Sequence, residues 1–145
     1  PDATFVPGSD EEGGGRWTQH RPVPPHWPLT RDGVTFNASL TPFRHLAFFP
    51  DMAPQWDWMR ARAEGAEVLN LFGYTGVGSL LLSKAGARLV HVDASKKSVE
   101  AGKANAALSG MSDRPIRWIV DDATKFTARE VRRGRRYDGI LLDPP

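Results

Sequence analysis

"NLFGYTGVGSL", residues 70–80, sets glycines at 73, 76 and 78 between one apolar run and the next. An apolar run that breaks at glycines and resumes with helical spacing reads as a buried strand, a tight turn and a helix. Glycine lets the backbone turn sharply and lets another group come close to the chain. Two questions follow: what fold surrounds this turn, and what approaches its backbone.

The same alternation continues outward. "EVLNLF" (67–72), "RLVHVD" (88–93), "IRWIVDD" (116–122) and "YDGILLD" (137–143) read as strands. "VGSLLLSKAG" (77–86), "SKKSVEAGKANAALSG" (95–110) and "TKFTAREVRRG" (124–134) read as the helices between them, with Ser95 near an N-cap and Gly86 and Gly110 as stops. Strands alternating with helices predict an α/β fold, a Rossmann-like doubly wound parallel sheet covered on both faces. The expected spatial order of the strands is 3-2-1-4, because the first crossovers run outward from strand one and strand four opens the second half. A sheet ending after its fourth strand, at Asp143, with no helix to cover it, is expected to be the N-terminal part of a larger domain.

Residues 1–32 contain "PGSDEEGGG" and "RPVPPHWP". Proline lacks an amide donor and glycine is costly to order, so this stretch predicts an extended, partly disordered arm pinned by Trp17 and Trp27. Residues 33–66 read as a small β-rich extension: a hairpin within 33–50 turning near Thr41-Pro42, then a helix capped at Asp51 and stopped at Gly65. Trp56, Met59 and Ala63 share one face of that helix. Residues 67–145 form the sheet proper.

The 145 residues are 40% hydrophobic and 25% charged, as in globular domains. No apolar run is long enough to span a bilayer, and the default location is the cytoplasm. The net charge of +2 neither demands nor excludes a nucleic-acid partner. The chain has no cysteine, so disulfides, thiolate metal sites and thiol nucleophiles are absent from it. The four histidines show no metal-ligand spacing, and no metal is assigned. "REVRRGRRY" (129–137) carries five arginines. Such a run can contact phosphates, but more often it is the solvated face of a helix.

In a parallel sheet, ligands bind at the carboxyl ends of the strands. Asp93 ends the second expected strand, where a carboxylate can accept both hydroxyl hydrogens of a ribose. Asp122 ends the third, beside Ala123; a carboxylate next to a free backbone N–H can read the amino edge of adenine. Each acid alone is more often a turn or cap residue. Together with the glycine turn they fit an adenosine held along one sheet edge. A dinucleotide fingerprint would need glycine at 81, which is Leu81, and no P-loop occurs.

"VLNLFGYTGVGSL" (68–80), "VDAS" (92–95), "VDDA" (120–123) and "ILLDPP" (140–145) resemble, in order and spacing, the successive motifs of class I S-adenosylmethionine-dependent methyltransferases. The nearest resemblance is to the subgroup with the bacterial 23S (large-subunit) rRNA cytosine-C5 methyltransferases, and "FRHLAFFPDMAPQWDWM" (43–59) is similar to the segment that precedes its sheet. The resemblance implies S-adenosyl-L-methionine as cofactor and an RNA base, of rRNA, as substrate. It implies that Asn70 contacts the methionine end and that Phe72, Gly73, Tyr74, Thr75 and Gly76 form the cofactor loop. Asp93, with Ala94 and Ser95, would hold the ribose, and Asp122 with Ala123 the adenine. Phe49 and Asp51 would close over the methionine end. Asp143 and Pro144 would orient the methyl acceptor through the carboxylate and the carbonyl oxygens that prolines leave unpaired. Two departures stand out: Phe72 and Tyr74 replace general-class glycines, and Met52 stands where a glutamine is expected. Methylation at cytosine C5 also needs a thiol to add to the ring. A non-catalytic binding module of the same fold is the alternative, and a nicotinamide oxidoreductase is disfavoured by the failed fingerprint. The acceptor atom and the oligomeric state stay open.

Overall fold

The computed structural model describes residues 1–9 and 13–145; the acidic centre of the expected arm, 10–12, lies outside the described residues. Strands β5 (Glu67–Leu71), β6 (Arg88–Asp93), β7 (Ile116–Val120) and β8 (Gly139–Leu142) form a parallel sheet in the order β7-β6-β5-β8. This is the order 3-2-1-4 that the sequence implies. Helices α2 (Val77–Lys84), α3 (Lys96–Leu108) and α4 (Ala123–Arg132) make the crossovers.

The central strands β5 and β6 are buried on both faces, which is why they read as continuous apolar runs, while Ile140 and Leu142 of the edge strand β8 stay exposed. Leu80, Leu81 and Leu82 of α2 are fully buried and pack with Val68, Leu89 and Trp56 on one face. Leu69, Leu71, Val90 and Val92 pack with Phe126 of α4 on the other. Each fully buried leucine contributes on the order of 1.5–3 kcal/mol. The caps are local and polar: Ser95 Oγ accepts from Ser98 N–H at the start of α3.

The N-terminal region departs from the sheet-free arm expected for residues 1–32. β1 (Ala3–Pro7) and β2 (Gly15–Gln19) pair antiparallel, and Phe5 meets the Trp17 ring edge-on at 5.3 Å. Trp17 Nε1–H donates to the Thr41 carbonyl at 2.7 Å, so this tryptophan does pin the ribbon. In a two-stranded ribbon both strands are edges, and an edge strand tolerates proline.

A second hairpin, β3 (Trp27–Arg31) with β4 (Val34–Ala38), turns at Asp32-Gly33 rather than at Thr41-Pro42. Both turn residues have positive φ, 48° and 81°. That is the geometry an Asp-Gly pair favours in a two-residue hairpin. β4 packs on α3, where Asn105 Oδ1 accepts from Asn37 N–H and Ser109 Oγ from Thr35 N–H.

A single 3₁₀ turn, Pro50–Met52, leads into α1 (Ala53–Arg60). Met52 rather than Asp51 occupies the N-cap, without a side-chain cap bond, and the helix ends before Gly65. Trp56 is buried from α1 into the face shared with α2. Among the described residues no helix is long and apolar enough to cross a membrane.

Candidate active-site cleft at the carboxyl ends of the strands

Beyond β5 the chain runs through Phe72 (φ 56°), Tyr74 (φ 51°) and Gly76 (φ 81°) in left-handed backbone. By the resemblance noted above, the two aromatic positions are ones where the general class would carry glycine. A left-handed L-residue costs roughly 1–2 kcal/mol, so the loop must be held from outside. Gly73 N–H donates to Val92 O at 3.0 Å and Tyr74 N–H to Asp93 Oδ2 at 2.9 Å. Thr75 Oγ1–H donates to Ala47 O at 2.7 Å, and Asn105 Nδ2–H to Thr75 O at 2.9 Å.

The glycines answer the question of close approach. A Cβ on Gly76 would come within 3.0 Å of the Trp118 ring, and one on Gly78 within 2.7 Å of Trp56 Nε1. One on Gly73 would collide with His91. The groups that come near the backbone here are the protein's own rings, packed beneath the loop.

Asp93 stands at the end of β6, partly exposed. Its Oδ2 takes the Tyr74 N–H and its Oδ1 the Ser95 N–H at 2.8 Å. An ionised carboxylate has about four acceptor positions, so both oxygens can still accept from a ligand. Burial, and then the Asp93 charge, push the Tyr74 phenol above its usual pKa. Ala94 and Ser95 are exposed beside this carboxylate.

Asp122 is exposed past β7, and its Oδ1 caps α4 by accepting Lys125 N–H at 2.9 Å; Ala123 behind it is buried. The preceding Asp121 accepts from Arg129, which holds its carboxyl below the usual range.

Between the loop and the 43–52 segment lies a cleft lined by Phe48, Phe49, Met52, Trp56, Asn70 and Asp143, with the loop residues as its floor. Asn70 sits opposite Leu141 of β8, and Asp143 follows that strand directly. Pro144 is exposed one residue further out. Phe49 packs on Tyr74 at 5.5 Å and on His45 at 4.8 Å. Burial lowers the His45 pKa. The cleft is narrow, with ≈ 40 Å³ of accessible space, and it opens to solvent. Asp51 is exposed and lines a separate outer groove with Phe43 and Arg44.

The sequence gives no sign of the polar group beneath the cleft. His91, in mid-strand and fully buried, faces Ser79 through Nδ1 at 2.9 Å, and Asn70 Nδ2–H donates to the same Ser79 Oγ at 2.9 Å. Burial drives the His91 pKa down to about 4, against the opposing pull of Asp93. The basic run 129–137 is largely paired within the molecule: Arg129 with Asp121, and Arg133 and Arg135 with the buried Glu130, which also takes the Tyr137 hydroxyl. Arg132 and Arg136 are exposed.

The sequence pattern of the S-adenosylmethionine-dependent methyltransferase family matches residues 9–145. Ribosomal RNA large subunit methyltransferase I of Shewanella amazonensis is 36% identical over 118 residues, which are 81% of this chain and 30% of that protein. Ribosomal RNA large subunit methyltransferase K/L of Syntrophotalea carbinolica is 35% identical over 111 residues, 76% of this chain and 15% of that one. The crystal structure of the SAM-dependent methyltransferase from Agrobacterium tumefaciens superposes with a TM-score of 0.91 at 46% identity, covering 99% of this chain and 47% of that one. The chain thus spans less than half the length of each of these proteins. Its sheet order, its glycine turn and the match over nearly all its residues agree: the chain belongs to the S-adenosylmethionine-dependent methyltransferase family.

Proposed function

We propose that the protein transfers a methyl group from S-adenosylmethionine to a base of ribosomal RNA, and that the cleft at the strand ends is where it does so. The observation that carries this reading is the meeting of Asn70, the 72–76 loop, Asp93 and Asp143 at the carboxyl ends of three adjacent parallel strands. The names of the relatives from Shewanella amazonensis and Syntrophotalea carbinolica support RNA as the substrate class. An rRNA substrate also implies a cytoplasmic location.

The residues present fit the cofactor. Asp93 keeps acceptor capacity beyond its two backbone bonds, as a ribose diol requires. Phe49, Tyr74 and Trp56 line the cleft, and aromatic faces attract a cation such as a sulfonium. Asp122 caps α4 with one oxygen and is exposed, so it can take the adenine amino group beside Ala123 N–H. Ala94 and Ser95 border the ribose position, and Asn70 faces the methionine end. Asp51 lies outside the cleft, in the neighbouring groove, and is given no contact with the cofactor.

S-adenosylmethionine, when bound, supplies a methyl group on a sulfonium, ready for in-line displacement. The protein's part is proximity and orientation. Phe72 and Tyr74, fixed in left-handed backbone, shape the wall of the cleft. The Asp143 carboxylate and the Pro144 carbonyl accept hydrogens from the acceptor base and hold it at the mouth. Calorimetric titration with S-adenosylhomocysteine and with NAD tests the cofactor assignment: the first should bind and the second should not. Equal binding of the two would overturn it.

A further inference from the structure

The opposite end of the sheet holds a second hollow, and it is basic. It encloses ≈ 250 Å³ at the amino ends of β5, β6 and β7, lined by Arg88, Arg114, Arg117, Arg135 and Tyr137. Among the described residues Glu67 is its only acid. Four cations thus face one anion, in a chain whose net charge is only +2. Asp113 precedes Arg114 but does not line the hollow, and Asp138 is turned to the Glu67 N–H at 2.8 Å. The arginines sit on fixed backbone. Ile116 N–H donates to Arg114 O at 2.7 Å and Leu89 N–H to Pro115 O at 3.0 Å, and Arg117 lies opposite Val90 in the β6–β7 ladder. All four arginines are exposed. Arg88 pairs with Glu67 at 3.3 Å and Arg135 with the buried Glu130 at 3.6 Å. Arg114 and Arg117 make no ion pair among the described residues. A guanidinium carries five N–H donors in a planar fork, so the two ion pairs leave most of these donors open to a ligand.

We propose that this hollow binds the phosphodiester backbone of RNA at a place remote from the cleft, with Arg114 and Arg117 as its main phosphate contacts. The inference rests on the RNA reading above. β5 is five residues long and rises about 17 Å, so the length of the sheet separates the hollow from the cleft. A base in the cleft and a phosphate at the hollow therefore belong to well-separated nucleotides of one folded RNA. Arginine forks match phosphate oxygens two at a time, which favours the backbone over a base edge. Such contacts carry no sequence information; they supply affinity and fix how the RNA lies on the protein. Arg114 and Arg117 lie outside the arginine run at 129–137, which contributes Arg135 alone to the hollow.

The test is labelled-methyl transfer to intact ribosomal RNA by the chain carried within a protein of its relatives' length. The double variant Arg114→Gln, Arg117→Gln should raise the KM for RNA about fivefold or more. It should leave kcat and S-adenosylhomocysteine affinity unchanged. The slope of log(kcat/KM) against log salt should become shallower by about two, one for each lost phosphate contact. The double variant Arg114→Lys, Arg117→Lys should keep the parent's slope, because lysine remains a point charge for phosphate. An unchanged KM and slope in the glutamine variant would overturn the inference while leaving RNA methylation in place. So would a fall in kcat at unchanged KM. Calorimetric binding of inorganic tripolyphosphate that is lost in the glutamine variant, with the RNA KM unmoved, would overturn it in favour of a small anion. Failure of the parent to label RNA would remove the RNA reading and this inference with it.

Discussion

Gly73 lies directly against the His91 ring: a Cβ on Gly73 would stand 2.9 Å from the imidazole Nε2 and closer still to Cε1. The ring is fully buried and tilted against Trp118 at 4.7 Å, so it has little room to yield. Gly73→Ala should therefore cost about 1–3 kcal/mol of stability, the usual range for overpacking. The cost should shrink in a His91→Ala background, where the space opens. Urea denaturation of the four proteins in this cycle measures the coupling, and an additive cycle would contradict the contact.

His91 also gives the fold a pH dependence of definite sign. Its pKa is about 4 in the folded chain against 6.5 when exposed. Between these values the unfolded chain binds the extra proton, so stability falls as pH falls. The contribution is complete above pH 6.5 and is lost progressively down to about pH 4, amounting to ~3 kcal/mol at full shift. His91→Gln should flatten the stability profile between pH 7 and 4 by about that amount. Identical profiles for variant and parent would show that His91 is not the group responsible.

Much of this fold was legible because the strands of the parallel sheet are short apolar runs, buried on both faces at its centre. "EVLNLF", "RLVHVD" and "YDGILLD" are dense enough in apolar residues to announce strands, and the glycine stops delimit the helices between them. The N-terminal hairpins were harder to see. β1 and β2 are mostly exposed ribbons whose pairing depends on Phe5 and Trp17, eleven intervening residues apart in sequence and brought together only by the fold. The β3–β4 turn did carry a signal, Asp32-Gly33, just after a proline-rich stretch that by itself favours extended chain. At the candidate site, Asp93 and Asp143 were legible from their places at strand ends. Ser79 and His91 were not: each is a single polar residue in an apolar element, and only the pairing of β5 with β6 puts Asn70 beside His91. Nor could the sequence reveal that Phe72 and Tyr74 take left-handed backbone while Gly73 does not.

Asp93 joins the loop to the cofactor reading. Asp93→Ala leaves the Tyr74 and Ser95 N–H groups without their acceptor and removes the proposed ribose contacts. S-adenosylhomocysteine binding should weaken by about 1–3 kcal/mol, as for hydrogen bonds to a charged group. Calorimetry alongside urea denaturation separates lost binding from lost stability, and unchanged affinity would contradict the ribose assignment.

Methyl transfer to RNA is the central claim, and Asp143 is the residue through which it is tested most directly. The measurement is incorporation of a labelled methyl group from S-adenosylmethionine into ribosomal RNA from cells lacking the protein, by the parent and by Asp143→Ala. The parent, carried within a protein of its relatives' length, should label the RNA. Asp143→Ala should lose at least about tenfold in rate at saturating cofactor while S-adenosylhomocysteine affinity stays near the parent's, because the role proposed for Asp143 is to orient the acceptor and not the nucleoside. An absence of label in RNA with the parent protein, or an equal rate with Asp143→Ala, would contradict the account.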